Sequence, residues 1–467
     1  MIANLQPYPE YKELALPWLG RLPSHWGLRR NGGLFLQRNE TDFPDLPILE
    51  VAIKSGVKVR DLENGARKQV MTDRRKYKRA LCGDIAYNMM RMWQGATGRV
   101  PVDGLVSPAY VVARPLSGTE SRYFELLFRT PTYQSEVNNA SRGIVSDRNR
   151  LYWPDFKQLF SPLPPPEEQS AIVRFLDYAN GRLERAIRSK RKVIALLHEQ
   201  KQAIIHRAVT RGLDPTVPLK PSGIPWLGDI PKHWEVVTVG TAMALIQTGP
   251  FGSQLHSHEY VAGGTPVINP SHMENGRIVA SREIAIRDDK LRELERHKLS
   301  EGDIVAARRG ELGRCALVTS AEEGWICGTG SLLLRCKPSM FLPTYFQRVF
   351  SSQWVRDSLN LSSIGATMAN LNAGMVARLR MPLPPKEEQE NIVSFIEAKN
   401  QNSDTAIQRL EREIALLREY RTRLVADVVT GKLDVRTAAR HLPAESLVPE
   451  DAVPEEFTEP ELEEIEA

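Results

Sequence analysis

The sequence predicts an α+β protein of two tandem mixed α/β globules, each followed by a long helix, the two helices pairing as an antiparallel intramolecular coiled coil. Three observations carry that expectation. The stretch Pro162-Leu163-Pro164-Pro165-Pro166-Glu167-Glu168-Gln169 returns 220 positions later as Pro382-Leu383-Pro384-Pro385-Lys386-Glu387-Glu388-Gln389. Each copy launches a run in which apolar residues recur at steps of three and four, the mark of one apolar seam along a helix. A second echo, Pro17-Trp18-Leu19-Gly20 with Pro23-Ser24-His25-Trp26 against Pro225-Trp226-Leu227-Gly228 with Pro231-Lys232-His233-Trp234, opens each globule at an offset of 208. In order, the chain reads as a first globule (1–161), a long helix (162–212), a linker (213–224), a second globule (225–381), a second long helix (382–433) and an acidic tail (441–467).

The helices follow from local chemistry. Prolines stiffen the chain ahead of each one and cannot continue it backwards. The two glutamates that follow occupy a first turn, where the backbone dipole favours negative charge. The seam of the first helix runs through Ile172, Leu176, Ala179, Leu183, Ile187, Val193/Ile194, Leu197, Ile204 and Ala208. That of the second runs through Ile392, Ile396, Ile407, Leu410, Ile414, Leu417, Leu424 and Val428. Gly212 is positioned to stop the first. From Glu167 to Thr210 is 44 residues, about 66 Å if wholly helical. A lone helix of that length with one apolar seam needs a partner, and its own repeat supplies one.

Within the globules, short β-prone runs at Leu46–Ile53, Asp84–Tyr87 and Tyr110–Ala113 have counterparts at Val261–Ile268, Asp303–Ala307 and Ser331–Leu334. Gly83-Asp84-Ile85 and Gly302-Asp303-Ile304 each read as a turn feeding a strand, and helices are expected near Tyr123–Arg129 and Thr344–Leu359. The segment 213–224, rich in Pro, Gly and Asp, reads as the linker.

With 467 residues, 42% hydrophobic and 25% charged, the chain has the composition of a globular protein of two or more domains. No apolar run reaches the eighteen residues a membrane span requires, and the first residues lack a basic start followed by an apolar block, so no secretory signal is expected. Cys82, Cys315, Cys327 and Cys336 show no CxxC spacing and are expected to be free, buried thiols of a reducing compartment. The net charge of +5 conceals an asymmetry: after Arg440 there are ten acids and no Lys or Arg, so residues 1–440 carry +15. A body that basic calls for a polyanionic partner, while the Pro- and Glu-rich tail reads as disordered.

Catalytic motifs are missing. There is no GxxxxGK[ST] phosphate loop and no HExxH. His256-Ser257-His258-Glu259 has the wrong spacing for one helix face and reads as an exposed loop. Ile268-Asn269-Pro270-Ser271 shares its start with the Asn-Pro-Pro-aromatic motif of amino-methyltransferases but lacks the second proline and the aromatic. Basic residues instead sit in glycine-bearing loops: Arg308-Arg309-Gly310-Glu311-Leu312-Gly313-Arg314 in the second globule, and Arg91-Met92-Trp93-Gln94-Gly95-Ala96-Thr97-Gly98-Arg99 in the first. An arginine fork pairs with guanine edges and grips phosphates, and glycines let backbone N–H groups approach a duplex. Arg67-Lys68 and Arg74-Arg75-Lys76-Tyr77-Lys78-Arg79 add a dense basic stretch, for which DNA contact and plain solvation both stand; Lys190-Arg191-Lys192 reads as helix surface.

Together these residues resemble the specificity subunit of type I restriction–modification enzymes. The resemblance rests on Gly83 to Gly95 and Ser107-Pro108-Ala109-Tyr110 in the first repeat. In the second it rests on Gly249-Pro250-Phe251-Gly252-Ser253-Gln254-Leu255, Gly302-Asp303-Ile304-Val305 and Ser363 to Asn372, with both Pro-Leu-Pro-Pro…Glu-Glu-Gln stretches. It covers the chain to about residue 440; the acidic tail is not part of it. It implies that each globule is a target-recognition domain reading one part of a bipartite, asymmetric double-stranded DNA target, and that the helices fix the unread spacer. It further implies two docked methyltransferase subunits, joined by restriction/translocase subunits, in the cytoplasm of a bacterium or archaeon. The chain itself is then non-catalytic and without cofactor, with S-adenosylmethionine, ATP and magnesium on the partners. Candidate DNA contacts are Arg91, Arg99 and Arg148 in the first domain, and Arg308, Arg309, Arg314 and Asn370 in the second. Two other readings stay open on the residues alone: a stand-alone nuclease or methyltransferase with a degenerate site, and a coiled-coil scaffold.

Overall fold

Ile85–Asn88 and Ile304–Ala307 are strands in which every residue is buried, and a four-stranded antiparallel sheet is built around each. The computed structural model describes residues 5–61, 73–143, 149–225, 227–279, 281, 283–362 and 371–443. The chain divides into two units, one of the residues up to Lys190 with those from Arg412 onward, the other of Arg191–Glu411.

In the first unit, β1 (Phe35–Arg38), β2 (Ile85–Asn88), β3 (Thr97–Arg99) and β4 (Tyr110–Pro115) form a sheet in the order β1-β4-β2-β3. In the second, β5 (Met243–Thr248), β6 (Ile304–Ala307), β7 (Cys315–Leu317) and β8 (Ser331–Cys336) form one in the order β5-β8-β6-β7, so the topology is duplicated. Side chains of a strand alternate between faces, and both sheets use both. Ile85, Tyr87, Val111 and Ala113 join the large core beside the helices, while Ala86 and Val112 join a smaller one with Leu49, Val51 and Val57. Likewise Ile304, Ala306, Leu332 and Leu334 face one core, and Val305, Ala316 and Leu333 the other. Burial on two faces explains why these strands are apolar runs rather than alternating ones.

A buried aspartate closes the turn ahead of each central strand. Gly83 and Gly302 have φ of 91° and 85°. Asp84 Oδ2 accepts from Leu81 N and Asp303 Oδ2 from Ser300 N, each at 2.8–2.9 Å. Each carboxylate also meets an arginine, but from non-equivalent strands: Arg38 of β1 at 2.8 Å in the first unit, Arg335 of β8 at 2.7 Å in the second.

The long helices are α1 (Pro166–Arg211) and α2 (Lys386–Val429). They pair antiparallel. In the first unit Lys190 Nζ lies 2.5 Å from Glu413 Oε2 and Arg421 Nη1 3.0 Å from Glu184 Oε2; in the second, Lys201 meets Asp404. The expected seam is buried at Ile172, Leu176, Ala179, Leu183, Ile187 and Ala208, and of the pair Val193/Ile194 it is Ile194 that turns inward, Val193 being exposed. Gly212, at φ 71°, ends α1 as expected, its N–H bonded to Ala208 O.

Several expectations change. The first Pro-Leu pairs are not helical: Phe160–Leu163 and Arg380–Leu383 are strands, paired with Gly27–Arg30 and Glu235–Thr238. The linker contains a strand, Leu219–Pro221, paired with Asp229–Pro231. The helix expected over Thr344–Leu359 is two, Pro343–Phe350 and Gln353–Ser362. Leu46–Ile53 and Val261–Ile268 shrink to Leu49–Ala52 and Thr265–Ile268. Cys315, Cys327 and Cys336 are buried free thiols, but Cys82 is exposed, because it lies in the turn ahead of Gly83 rather than in a strand. The acidic tail and Arg67-Lys68 lie outside the described residues.

The two sequence echoes meet. Glu168 accepts from Tyr8 Oη (2.6 Å), Trp26 Nε1 (3.1 Å) and His25 Nε2 (2.8 Å), and Glu388 from Trp234 Nε1 (2.7 Å) and His233 Nε2 (2.5 Å). Gln169 Oε1 accepts from Glu120 N while its Nε2 donates to Gly118 O and Pro164 O; Gln389 does the same with Leu342 N, Met340 O and Pro384 O. The Glu-Glu-Gln stretch is thus the joint by which each globule grips a helix start. Tyr8, buried and bonded to Glu168, has its phenol pKa raised.

Candidate nucleic-acid interface

In the second unit β6 runs straight into the Arg308–Arg314 loop. Arg308 is bracketed by backbone: its N–H donates to Gly330 O, its carbonyl accepts from Leu371 N, and its Nε donates to Leu371 O at 3.0 Å. Its guanidinium lies 5.9 Å from the centre of the Phe251 ring. Burial, and then the neighbouring Arg309, lower its pKa. Arg309 is exposed and has no side-chain partner among the described residues. Three stretches far apart in sequence, around Phe251, Arg308 and Leu371, therefore converge.

Arg314 is differently placed. Its Nε and Nη2 donate to Glu311 Oε2 at 3.0 and 2.5 Å, and its Nη1 reaches Pro270 O. The second oxygen of Glu311 accepts from Arg356 at 2.7 Å, so one carboxylate holds two guanidinium groups. Asn370 lies outside the described residues; its neighbour Asn372 caps the helix Ala373–Arg378 by accepting from Met375 N.

In the first unit the β2–β3 hairpin carries Arg91 at its tip and Arg99 at its far end, opposite Ile85. Both are exposed and have no side-chain partner among the described residues. Gly95, at φ 96°, turns the tip, and Trp93 folds back to donate from Nε1 to Met90 O. Arg148 lies outside the described residues. The basic stretch is split in its duties. Arg74, Arg75 and Lys76 are exposed, whereas Lys78 Nζ donates to Tyr110 O, and burial lowers its pKa. Arg79 pairs with Glu40 and lies 4.4 Å from the centre of the Phe43 ring.

Two residues of this surface escaped the sequence reading. Arg129 ties two loops together, with Nη1 on Thr97 O and Nη2 on Ile53 O, both at 2.9 Å; an arginine ending a short helix gives no sign of that. Phe251 was present in a Gly-Pro-Phe-Gly stretch, and an aromatic between two glycines was the available signal. The His256–Glu259 cluster is a 3-10 turn with the two imidazoles stacked, and among the described residues no group of three His, Cys, Asp or Glu could hold a metal ion. No helix among them is long and apolar enough to cross a membrane.

Residues 231–415 match the family described as the type I restriction modification DNA specificity domain. The MjaVIII specificity subunit of Methanocaldococcus jannaschii, a type I restriction enzyme component, is 23% identical over 286 residues, covering 60% of this chain and 64% of that protein. The EcoKI specificity subunit of Escherichia coli is 22% identical over 338 residues, covering 71% and 69%. The chain thus spans just under two thirds of the length of the first of these relatives and slightly more of the second. A solved chain, described under complex assembly and conformational transition of the type I R-M system, shares the fold with a TM-score of 0.63 at 18% identity, over 88% of this chain and 99% of that one.

Proposed function

We propose that the chain belongs to the specificity-subunit family of type I restriction–modification systems and is the non-catalytic DNA-reading subunit of such a complex. Residues 1–161 and 225–381 are its two target-recognition domains, and 162–212 and 382–433 the helices that hold them. One observation carries the reading: the same four-stranded sheet occurs twice, and each copy ends in an arginine loop of different sequence. A duplicated scaffold with unlike loops suits a bipartite, asymmetric duplex target. Arg91, Arg99 and Arg309, without a carboxylate partner among the described residues, are first in line for base edges or phosphates, with Arg148, Arg308 and Asn370 as further candidates; Arg314 must exchange Glu311 for DNA. Two methyltransferase subunits and the restriction/translocase subunits are the protein partners, in a bacterial or archaeal cytoplasm. S-adenosylmethionine, ATP and magnesium act on those partners. The relatives, being specificity subunits, give no support to a stand-alone nuclease or methyltransferase.

The test is to map modified adenines in the source cell with and without this gene. A split motif that disappears with the gene is the expected result. Cleavage or methylation of DNA by the isolated chain, given magnesium and S-adenosylmethionine, would overturn the non-catalytic reading.

A further inference from the structure

Phe251 is 54% exposed, on a loop anchored on both sides. Gly249 donates to Ser331 O, and a Cβ at Gly249 would fall 1.8 Å from Gly328 O, so the chain crosses there backbone to backbone. On the other side Leu255, 3% exposed, is anchored among Val267, Ile286, Leu294 and Ile326. Between these anchors the turn closes on Phe251 itself: its N–H donates to Gln254 Oε1 at 3.0 Å, and its carbonyl accepts from Gln254 N and Leu255 N. The ring is therefore presented, not loose. Arg308, fixed by Leu371, stands over it with Arg309 next in the chain.

The first unit shows the same pairing put to another use. There Phe43 lies under Arg79, half-buried against Ile48, Tyr77 and Leu105, and Glu40 neutralises the arginine. Among the described residues, an aromatic–arginine pair open to solvent and without a carboxylate partner occurs in the second unit but not at this place in the first.

We propose that Phe251 is a specificity-determining residue of the second recognition domain, its ring packing on the 5-methyl group of a thymine in the major groove. This rests on the reading that this face meets DNA. One side of the ring is already occupied by a cation, and a phosphate gains nothing from the other. The apolar group that a major-groove edge offers is the thymine methyl.

The experiment replaces each thymine of the target by deoxyuridine, one at a time, which removes the methyl and keeps every hydrogen bond. Binding of the assembled complex to these duplexes is compared for the unaltered chain and Phe251→Ala, whose exposed position leaves the fold intact. One substitution within the second half-site should weaken the unaltered protein about fourfold, the factor one buried methyl group supplies, and Phe251→Ala should be indifferent to it. Sequence-selective binding with no thymine–uracil discrimination in that half-site, or discrimination that persists in Phe251→Ala, overturns the assignment and leaves the DNA-reading function standing. Loss of all sequence selectivity in the unaltered complex would overturn both.

Discussion

Glu168 is 6% exposed and accepts hydrogen bonds from Tyr8, His25 and Trp26. Alanine there leaves a buried phenol and indole without acceptors, each costing about 1–3 kcal/mol. Glu168→Ala should lower the stability of the first unit by roughly 2–5 kcal/mol in a denaturant titration. Glu388, more exposed and without a tyrosine donor among the described residues, should prove the milder site. The cysteines separate by environment in the same way. Burial pushes the thiols of Cys315 and Cys336 up to about 12 and raises that of Cys327 as well, so all three stay protonated at neutral pH. Exposed Cys82 should be the one thiol labelled by an alkylating reagent in the native chain, and four should react once it is unfolded. His297 supplies a pH dependence. Burial, and then the Arg296 guanidinium, hold its imidazole down to about 4. The unfolded chain binds that proton near pH 6.5 and the folded one does not, so stability falls as pH drops from about 6.5 toward 4. His297→Gln should flatten that part of the acid-unfolding curve. The burial of Cys315, Cys327 and Cys336 was expected from the sequence, but the surroundings of Glu168 and His297 were not legible beforehand. A seam repeats every three or four residues and announces itself, but the meeting of Trp26 with Glu168 spans 142 positions and leaves no local trace.

At the scale of elements, each long helix stops on a glycine packed under the motif that begins a globule. Gly431 has φ 77°, and a Cβ there would lie 2.5 Å from Pro23 Cδ; Gly212 has φ 71° and would meet Trp234 at 3.3 Å. Alanine is strained at both, by roughly 1–3 kcal/mol, and at Gly431 it also displaces Pro23. Gly431→Ala should therefore destabilise its unit more than Gly212→Ala does, read from the separate midpoints of thermal unfolding. The helices themselves were readable because one physical cause, the 3.6-residue period, acts along their whole length. The sheets were readable at their centres, where Ile85–Asn88 and Ile304–Ala307 are uniformly buried, and blurred at their margins. Ser351-Ser352 split a helix that the apolar spacing alone ran together, since the side chains on either side of the break still face one core. The candidate site was legible as loops, through their glycines and arginines. Which arginine was free was not, because Glu311 claims Arg314 only once the loop has folded.

For the whole molecule, the proposed function ties the unread spacer to helix length. Removing seven residues from both helices at matched positions shortens the pair by about 10 Å, close to three base-pair steps of about 3.4 Å each. Mapped methylation sites should keep both outer words and change the gap between them; an unchanged gap would break that link. The order of the chain, by contrast, is open to rearrangement. Asp434 N donates to Gln6 O at 2.8 Å, and Tyr11 Oη donates to Gly431 O at 3.0 Å, so the stretch that opens the first globule runs alongside the stretch after the second helix. Between the repeats, Asp214–Thr216 is an exposed turn. Splicing the former pair together and opening the latter would leave every strand and helix with its present neighbours. A gene so permuted should yield a protein that unfolds at the same midpoint, whereas its two halves, made separately, should each lack the helix end that completes its core: Leu424, Val428 and Val429 for the first globule, Ile205, Ala208 and Val209 for the second.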